Sequence, residues 1–340
     1  MATADRRTSR TSTVLDPAAV PADHIRLLTK VARLYHERGV RQPEIAARLN
    51  ISQPRVSRLL KEATRLGIVR TTVVTPRGVH TELEEEIERR YRVNEVVVAD
   101  TGEHDSEQEI LPALSAAAAH YLETTLTGGP SVERIGISSW SSTLLATIEA
   151  MRPRPGRVAE QVVQVLGGFG AESAQAHATR LAGRLAQLTG ASAVYLPAPG
   201  LVGSAATREA IVGDPHLASI MQAYDSLTTV LVGIGSLEPS PLLQQSGNAM
   251  AEADQEELRR LGAVGDVCLR FFDEEGEHVA SELDDRIIGI SIESLLAVPR
   301  RVGIAGGLRK FSAIRAALRG GWVNVLITDL QIAERLAADD

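Results

Sequence analysis

From Asn94 onward, short runs of β-branched and apolar residues alternate with longer amphipathic stretches, and no other feature constrains the fold of this 340-residue chain as much. The runs are NEVVVAD, VERIGIS, EQVVQVLG, ASAVYLP, LTTVLVGIG, RIIGIS, RRVGIAGG and VNVLITD. Between them lie helical patterns such as SEQEILPALSAAAAHYLETTL, AQAHATRLAGRLAQLTG and RKFSAIRAALRG. Near-continuous apolar runs separated by amphipathic helices predict βαβ units and a parallel sheet covered on both faces. Aromatic residues make up only 3% of the chain, so the sheet must be built from aliphatic side chains. Within the less regular segment 236–280, GDVCLRFFDEEGEHV predicts a hairpin.

A formal net charge of −7 argues at first against a nucleic-acid partner, but the charge is unevenly spread. Up to Pro76 there are 14 Lys or Arg against 6 Asp or Glu, a balance of +8, and the remainder carries −15. A basic head on an acidic body is expected where only the head meets phosphate. The arm 1–20 is polar and reads as disordered, 21–77 as a DNA-binding domain, 78–92 as a connecting helix and 93–340 as an effector-binding and oligomerisation domain. TELEEEIERRY in the connector fits a link, a dimer contact or a solvated helix face.

In the head, Asp23 fits an N-cap, and Ile25, Leu28, Val31, Ala32 and Tyr35 recur at helical spacing up to Gly39. RQPEIAARL is a short second helix, Asn50-Ile51 a turn, and Ser52 a cap for QPRVSRLLKEATRL, which Gly67 can end. IVRTTVV then reads as a strand. Ala46 is the small residue where two helices cross, and Ile45, Leu49, Ile51, Val56 and Leu59 form an apolar seam. This is the spacing of a winged helix-turn-helix. Its second helix then exposes Gln53, Arg55, Ser57, Arg58 and Lys61, residue types suited to base edges and phosphates. Gln53, Arg55 and Arg58 are assigned to bases, and Arg41, Ser52 and Lys61 to phosphates; Gln42 opens the motif.

In open parallel sheets, ligands sit beyond the carboxyl ends of the strands. One such end runs into Ser138, Ser139, Trp140, Ser141, Ser142 and Thr143, whose hydroxyl and N–H groups suit an anion or a polyol. Another runs into Gly306, Gly307 and Lys310, and a lysine in a first helical turn opposes the helix dipole unless an anion is present. Only 3 of the 36 basic residues are lysines, which singles Lys310 out. Gly233-Ile234-Gly235-Ser236 and Gly167, Gly168 and Gly170 allow close backbone approach or merely turn the chain. Asp266 and Asp329 are positioned either to meet sugar hydroxyls or to cap helices. His177 and His216 read as structural or surface residues, and Cys268 as a small core residue. A lone cysteine and the absence of Cys/His clusters argue against disulfides and structural zinc. No cofactor or metal is expected, nor any catalytic residue. No apolar run reaches the roughly 18 residues of a membrane span, and the N-terminus lacks a signal-peptide core, so a cytoplasmic chain without a membrane partner is expected.

The chain resembles the SorC family of bacterial transcriptional regulators, which includes the central glycolytic gene regulator and the deoxyribonucleoside regulator. The resemblance runs from about His24 to the end. It rests on GVRQPEIAARLNISQPRVSRLLKEATRLGIV, GISSWSSTL, QVLGGFG, LVGIGSL, GAVGDVCLRFFDEEG, DDRIIGIS and VGIAGGLRKFSAIRAALRGGWVNVLITD in that order. It implies a Rossmann-like effector domain similar to sugar-phosphate isomerases and deaminases, without turnover. It further implies a sugar, polyol or sugar-phosphate effector and a homodimer or homotetramer on palindromic double-stranded operator DNA. By resemblance, Ser142, Thr143 and Lys310 grip phosphate and Asp266 stands near the sugar. Ser141 departs from the family, which usually has glycine after the tryptophan; a side chain there narrows the cradle and keeps an unphosphorylated polyol in range. The alternative is a sugar-phosphate isomerase or deaminase with an appended basic domain, for which no acid/base pair is evident beside Lys310.

Overall fold

The computed structural model describes residues 21–69, 78–102, 104, 106–127, 133–153, 156–168, 172–238 and 251–339. The chain divides into two compact units, Met1–Val74 and Thr75–Asp340.

Among its described residues the first unit has three α-helices. Helix α1 (Ala22–Ala32) continues as a π-turn, Arg33–Glu37, and is followed by α2 (Gln42–Leu49) and α3 (Gln53–Arg65). Asn50 turns the chain between α2 and α3 in the left-handed region, at φ 51°, which short polar side chains tolerate. Leu28, Val31, Ile45, Val56 and Ala63 are fully buried, and Ala46 is nearly so, which closes α1 and α2 on α3. Two capping expectations differ. Pro21, not Asp23, holds the N-cap of α1, because a fixed φ near −65° starts a helix without a side-chain acceptor. Ser52 does hold the N-cap of α3, but its hydroxyl makes no capping bond. Gly67 follows the end of α3 at φ 71°. The arm 1–20, most of IVRTTVV and Gly170 lie outside the described residues.

In the second unit, α4 (Thr81–Tyr91) precedes a seven-stranded parallel sheet. The strands are β1 (Glu95–Ala99), β2 (Glu133–Ile137), β3 (Ala159–Gln164), β4 (Ser192–Val194) and β5 (Thr229–Val232), then β9 (Arg300–Ile304) and β10 (Val325–Asp329). Their order is β1-β10-β9-β5-β2-β3-β4, and every ladder is parallel. Val230 and Val232 pack into one apolar layer while Leu231 packs into the other, so the central strands are buried on both faces. Helices α5 (Glu107–Thr125), α6 (Ser142–Ala150) and α7 (Glu172–Thr189) connect the first strands, α12 (Phe311–Arg319) connects β9 to β10, and α13 (Leu330–Ala338) follows β10. Helices α8 (Ala205–Val212), α9 (Pro215–Gln222), α10 (Glu252–Arg260) and α11 (Ile292–Ala297) lie between them in the chain. The Ser106 hydroxyl caps α5 by accepting the Glu109 N–H at 3.3 Å and donates to the Glu109 carboxylate at 2.6 Å. A small antiparallel sheet, β6 (Gly235–Ser236), β7 (Gly265–Val267) and β8 (Arg270–Phe272), contains the expected hairpin.

One apolar run is not a strand of the sheet. RIIGIS makes only isolated antiparallel bridges, Ile287 to Leu201 and Gly289 to Leu166. Its isoleucines are fully buried, and burial alone produces the same sequence signature as a central strand. Helix α4 is not a free link either. Ile87 is fully buried against the sheet unit, and two of the helix's glutamates finish the open edge of β1. Glu88 Oε1 accepts the Val96 N–H and Glu84 Oε1 the Val98 N–H, both at 2.9 Å. An unpaired edge strand invites pairing with another chain, and these carboxylates occupy it.

Replacing both Glu84 and Glu88 by alanine leaves two nearly buried N–H groups without acceptors, at a cost of about 1–3 kcal/mol each. The double variant is expected to melt several degrees lower and to aggregate on heating. Glu85→Ala, on the exposed face, is expected to stay within about 0.5 kcal/mol of wild type. Thermal melting with light scattering checks both.

Candidate functional site

Chain order runs outward from β2 through β3 and β4 on one side, and from β5 through β9 and β10 on the other. The topological switch point therefore lies between β2 and β5, where a ligand crevice is expected. The loops leaving β2, β5 and β9 meet there around a cleft of about 670 Å³ including space open to solvent. The β7–β8 turn forms another wall.

The loop after β2 is anchored by side chains before it becomes α6. The Ser139 hydroxyl donates to the Leu166 carbonyl (2.7 Å), and the Trp140 indole N–H donates to the Gly167 carbonyl (3.0 Å). The Ser141 hydroxyl caps α6 by accepting the Leu144 N–H at 3.1 Å. The N–H groups of Ser142 and Thr143 open the helix, where no intrahelical carbonyl can reach them. Gly233 after β5 lies against Ser141, since a methyl group there would meet the Ser141 Oγ at 2.8 Å. Gly235 is pressed in the same way against Asp266 Oδ1.

Asp266 is the central residue of β7, the middle strand of the small sheet. Its Oδ2 accepts the Leu269 N–H at 2.9 Å and so holds the tight turn in which Cys268 and Leu269 adopt φ 55° and 63°. Left-handed backbone in two non-glycine residues costs on the order of 1–2 kcal/mol each and persists only where the surroundings enforce it. Both turn residues are buried and line the cleft. Burial, opposed by the Leu269 N–H and Lys310, pushes the Asp266 carboxyl up to about 6. Burial likewise pushes the Cys268 thiol up to about 12, so it stays protonated. It is the core residue expected, with one face on the cleft.

The β9 end turns through Gly306 and Gly307, then a short 3₁₀ turn, Leu308–Lys310, before α12. Lys310 is thus the N-cap residue rather than a residue of the first turn. Its ammonium lines the cleft and has no hydrogen-bond or ion-pair partner among the described residues. Burial, with Arg309 beside it, holds the ammonium below its ordinary range. Arg309 is committed elsewhere: it donates to Glu107 on α5 at 2.7 Å and to the Ser236 hydroxyl at 2.7 Å, tying β6 to α5.

Of the residues singled out from sequence, Ser141, Ser142, Thr143, Gly235, Asp266 and Lys310 share this cleft. Three do not reach it. Ser139 faces the Leu166 carbonyl. Gly168 uses its N–H on the Ala198 carbonyl. Gly306 backs onto Asp329. Asp329 is a cap for α13, as one of its two readings had it, and His216 is a surface residue. Arg309, Glu238 and Leu166 line the cleft without having been singled out; Arg309 carried the same signal as Lys310, an adjacent cation after two glycines. On the first unit, Arg41, Ser52, Gln53, Arg55, Arg58 and Lys61 are exposed, whereas Gln42 and Ser57 are half-buried.

Residues 77–338 match the family described as "Putative sugar-binding domain". The sorbitol operon regulator of Klebsiella pneumoniae is 30% identical over 319 residues, covering 93% of this chain and 98% of its own. The chain belongs to the SorC family. The deoxyribonucleoside regulator of Bacillus subtilis (strain 168) is 32% identical over 315 residues, 92% of this chain and 97% of that protein. The crystal structure of full-length SorC from K. pneumoniae superposes with a TM-score of 0.69 at 28% identity, covering 93% of this chain and all of that one. The α/β fold with its parallel sheet is therefore shared across the SorC family member solved at full length.

Asp266 supplies a pH test of the cleft. Its folded value near 6 exceeds the ordinary 3.8, so the folded chain keeps a proton that the unfolded chain has released between those values. The stability this contributes is present below about pH 4 and lost as pH rises through about 6. Asp266→Asn should flatten that decline. Urea melts of both proteins at several pH values from 4 to 7 check it.

Proposed function

We propose that this SorC-family chain is a DNA-binding transcriptional regulator of a carbohydrate or polyol catabolic operon, whose operator binding responds to a sugar, polyol or sugar-phosphate effector. The observation that carries the reading is Lys310, a cation without a hydrogen-bond or ion-pair partner among the described residues, on the same cleft as the first N–H groups of α6. Burial disfavours a lone ammonium, and an anionic or strongly polar ligand removes that penalty. Ser141 keeps the Leu144 N–H for itself, which leaves Ser142 and Thr143 to offer backbone N–H groups. Asp266 supplies an acceptor or donor for ligand hydroxyls. Phosphorylated sugars use both ends of this arrangement, and a neutral polyol uses the Asp266 end.

The first unit supports the DNA partner. Its α2–Asn50–α3 geometry suits a winged helix-turn-helix, with α3 as the groove-reading helix. Gln53, Arg55 and Arg58 are read as base contacts, and Arg41, Ser52 and Lys61 as phosphate contacts. Half-sites about one helical turn apart, or a multiple, follow from a two-fold symmetric homodimer or homotetramer on a palindromic operator. Effector binding then acts by changing the relative populations of states that space the heads differently.

The enzyme reading draws on one observation, the Asp266 carboxyl near pH 6, which suits proton transfer. Among the described residues it accepts one hydrogen bond, from the Leu269 N–H, and no second titratable side chain is bonded to it. The likeness to sugar-phosphate isomerases and deaminases that the family resemblance implies is thus read as shared architecture without turnover.

Thermal-shift screening of sugars, polyols and their phosphates tests the cleft. A phosphorylated hit is expected to lose most of its stabilisation in Lys310→Ala, as about 1.5–3 kcal/mol of charge-assisted bonding disappears. An unchanged shift removes Lys310 from the site, and steady turnover of the hit overturns the regulator reading. Removing residues 1–77 should abolish operator binding while ligand binding survives. Arg55→Ala and Arg58→Ala should each cost about 1–3 kcal/mol of operator affinity in gel-shift titrations.

A further inference from the structure

The lysine of the cleft stands on a loop that is held from behind. After β9 the chain passes through Gly306 and Gly307 to Lys310, whose N–H returns to the Gly307 carbonyl at 2.9 Å. Gly307 has φ +91°, a backbone state that glycine enters and leaves without steric cost, so the loop has little conformational preference of its own. What fixes it is Asp329 at the end of β10. Asp329 Oδ2 accepts the Gly307 N–H at 2.7 Å, while Oδ1 accepts the Ile332 N–H at 3.0 Å at the start of α13. The carboxylate is 1% exposed and is not on the cleft wall. Gly306 lies so close that a methyl group there would stand 2.5 Å from Oδ2.

A helix cap explains one of these bonds only. Capping α13 occupies Oδ1, and a serine would serve, as Ser291 does for α11 through the Ser294 N–H. The second oxygen is turned to the loop that ends in Lys310. A carboxylate suits two N–H donors at once because both of its oxygens accept. We infer that Asp329 is a positioning residue for the effector: by pinning Gly307 it sets where the Lys310 ammonium stands in the cleft. The inference rests on the reading of the cleft as the effector site. Asparagine in this position keeps the shape but must turn its NH₂ toward one of the two N–H groups, so either the loop or the helix start loses its acceptor.

The chain contains only three lysines, and two of them, Lys30 and Lys61, belong to the first unit. Reductive ¹³C-methylation, which preserves the charge, therefore makes Lys310 the single reporter of the second unit in an NMR spectrum. Titration of the full-length protein with inorganic phosphate should move the Lys310 signal saturably. In Asp329→Asn the phosphate affinity is expected to fall about tenfold or more, the scale lost when a charge-assisted contact is misplaced. Ser291→Ala removes a helix cap of the same kind away from the cleft and is expected to keep the affinity within about twofold, separating lost position from lost stability. Gly307→Ala strains the same loop with the carboxylate intact and should weaken phosphate as well, which keeps the test open if Asp329→Asn fails to fold. A Lys310 response that survives in Asp329→Asn, or in Gly307→Ala where the first does not fold, overturns the positioning role and leaves the cleft reading standing. No response in the wild-type protein overturns both.

Discussion

The cleft depends on close approach between glycines and side-chain oxygens. Gly233 leaves room for Ser141 Oγ, Gly235 for Asp266 Oδ1 and Gly306 for Asp329 Oδ2. Neighbouring parallel strands run about 4.8 Å apart, so loops leaving β2, β5 and β9 are forced into contact unless one of each pair gives up its side chain. Each of these side chains then does a second job. Ser141 starts α6, Asp266 holds a strained turn through its other oxygen, and Asp329 holds the Gly307 loop. A methyl group on any of the three glycines would displace a side chain that organises the cleft's walls or the loop behind Lys310.

The electrostatics of that cleft follow from the same crowding. Asp266 and Lys310 influence each other without forming an ion pair, and burial drives each toward its neutral form. The pair is therefore poorly self-compensated. An anion beside Lys310 stabilises the ammonium, and an ammonium in turn favours the ionised carboxylate, so a charged ligand and the two protons are thermodynamically linked.

Much of this fold is legible from residue order. Seven of the eight apolar runs lie in the parallel sheet because central strands, buried on both faces, need β-branched residues without alternation. RIIGIS carries the same signature for burial alone. Asn50 betrays the turn between α2 and α3 because few residues other than glycine tolerate φ 51°. The limits are those of long-range geometry. Arg309 reaches Glu107 across 202 residues, and no local pattern marks that pair. In the serine-rich loop after β2, composition shows that hydroxyls are present, yet only the path of the backbone decides that Ser141 caps a helix while Ser139 turns to Leu166. The charged stretch Thr81–Tyr91 fits a link, a dimer contact or a solvated face equally, since its spacing does not reveal which glutamates meet an N–H.

That last feature alters what counts as a domain here. Measured by residue type, α4 looks like the most dispensable part of the chain, a polar rod between a basic head and an apolar sheet. Measured by hydrogen bonding, it completes the sheet: the outer N–H groups of Val96 and Val98 have their acceptors on it. A gene fragment trimmed to begin at β1 would carry every strand and the whole cleft yet expose a bare β edge. A fragment that keeps this edge covered therefore begins upstream of α4, and a cut inside that helix separates the sheet from the carboxylates that close it.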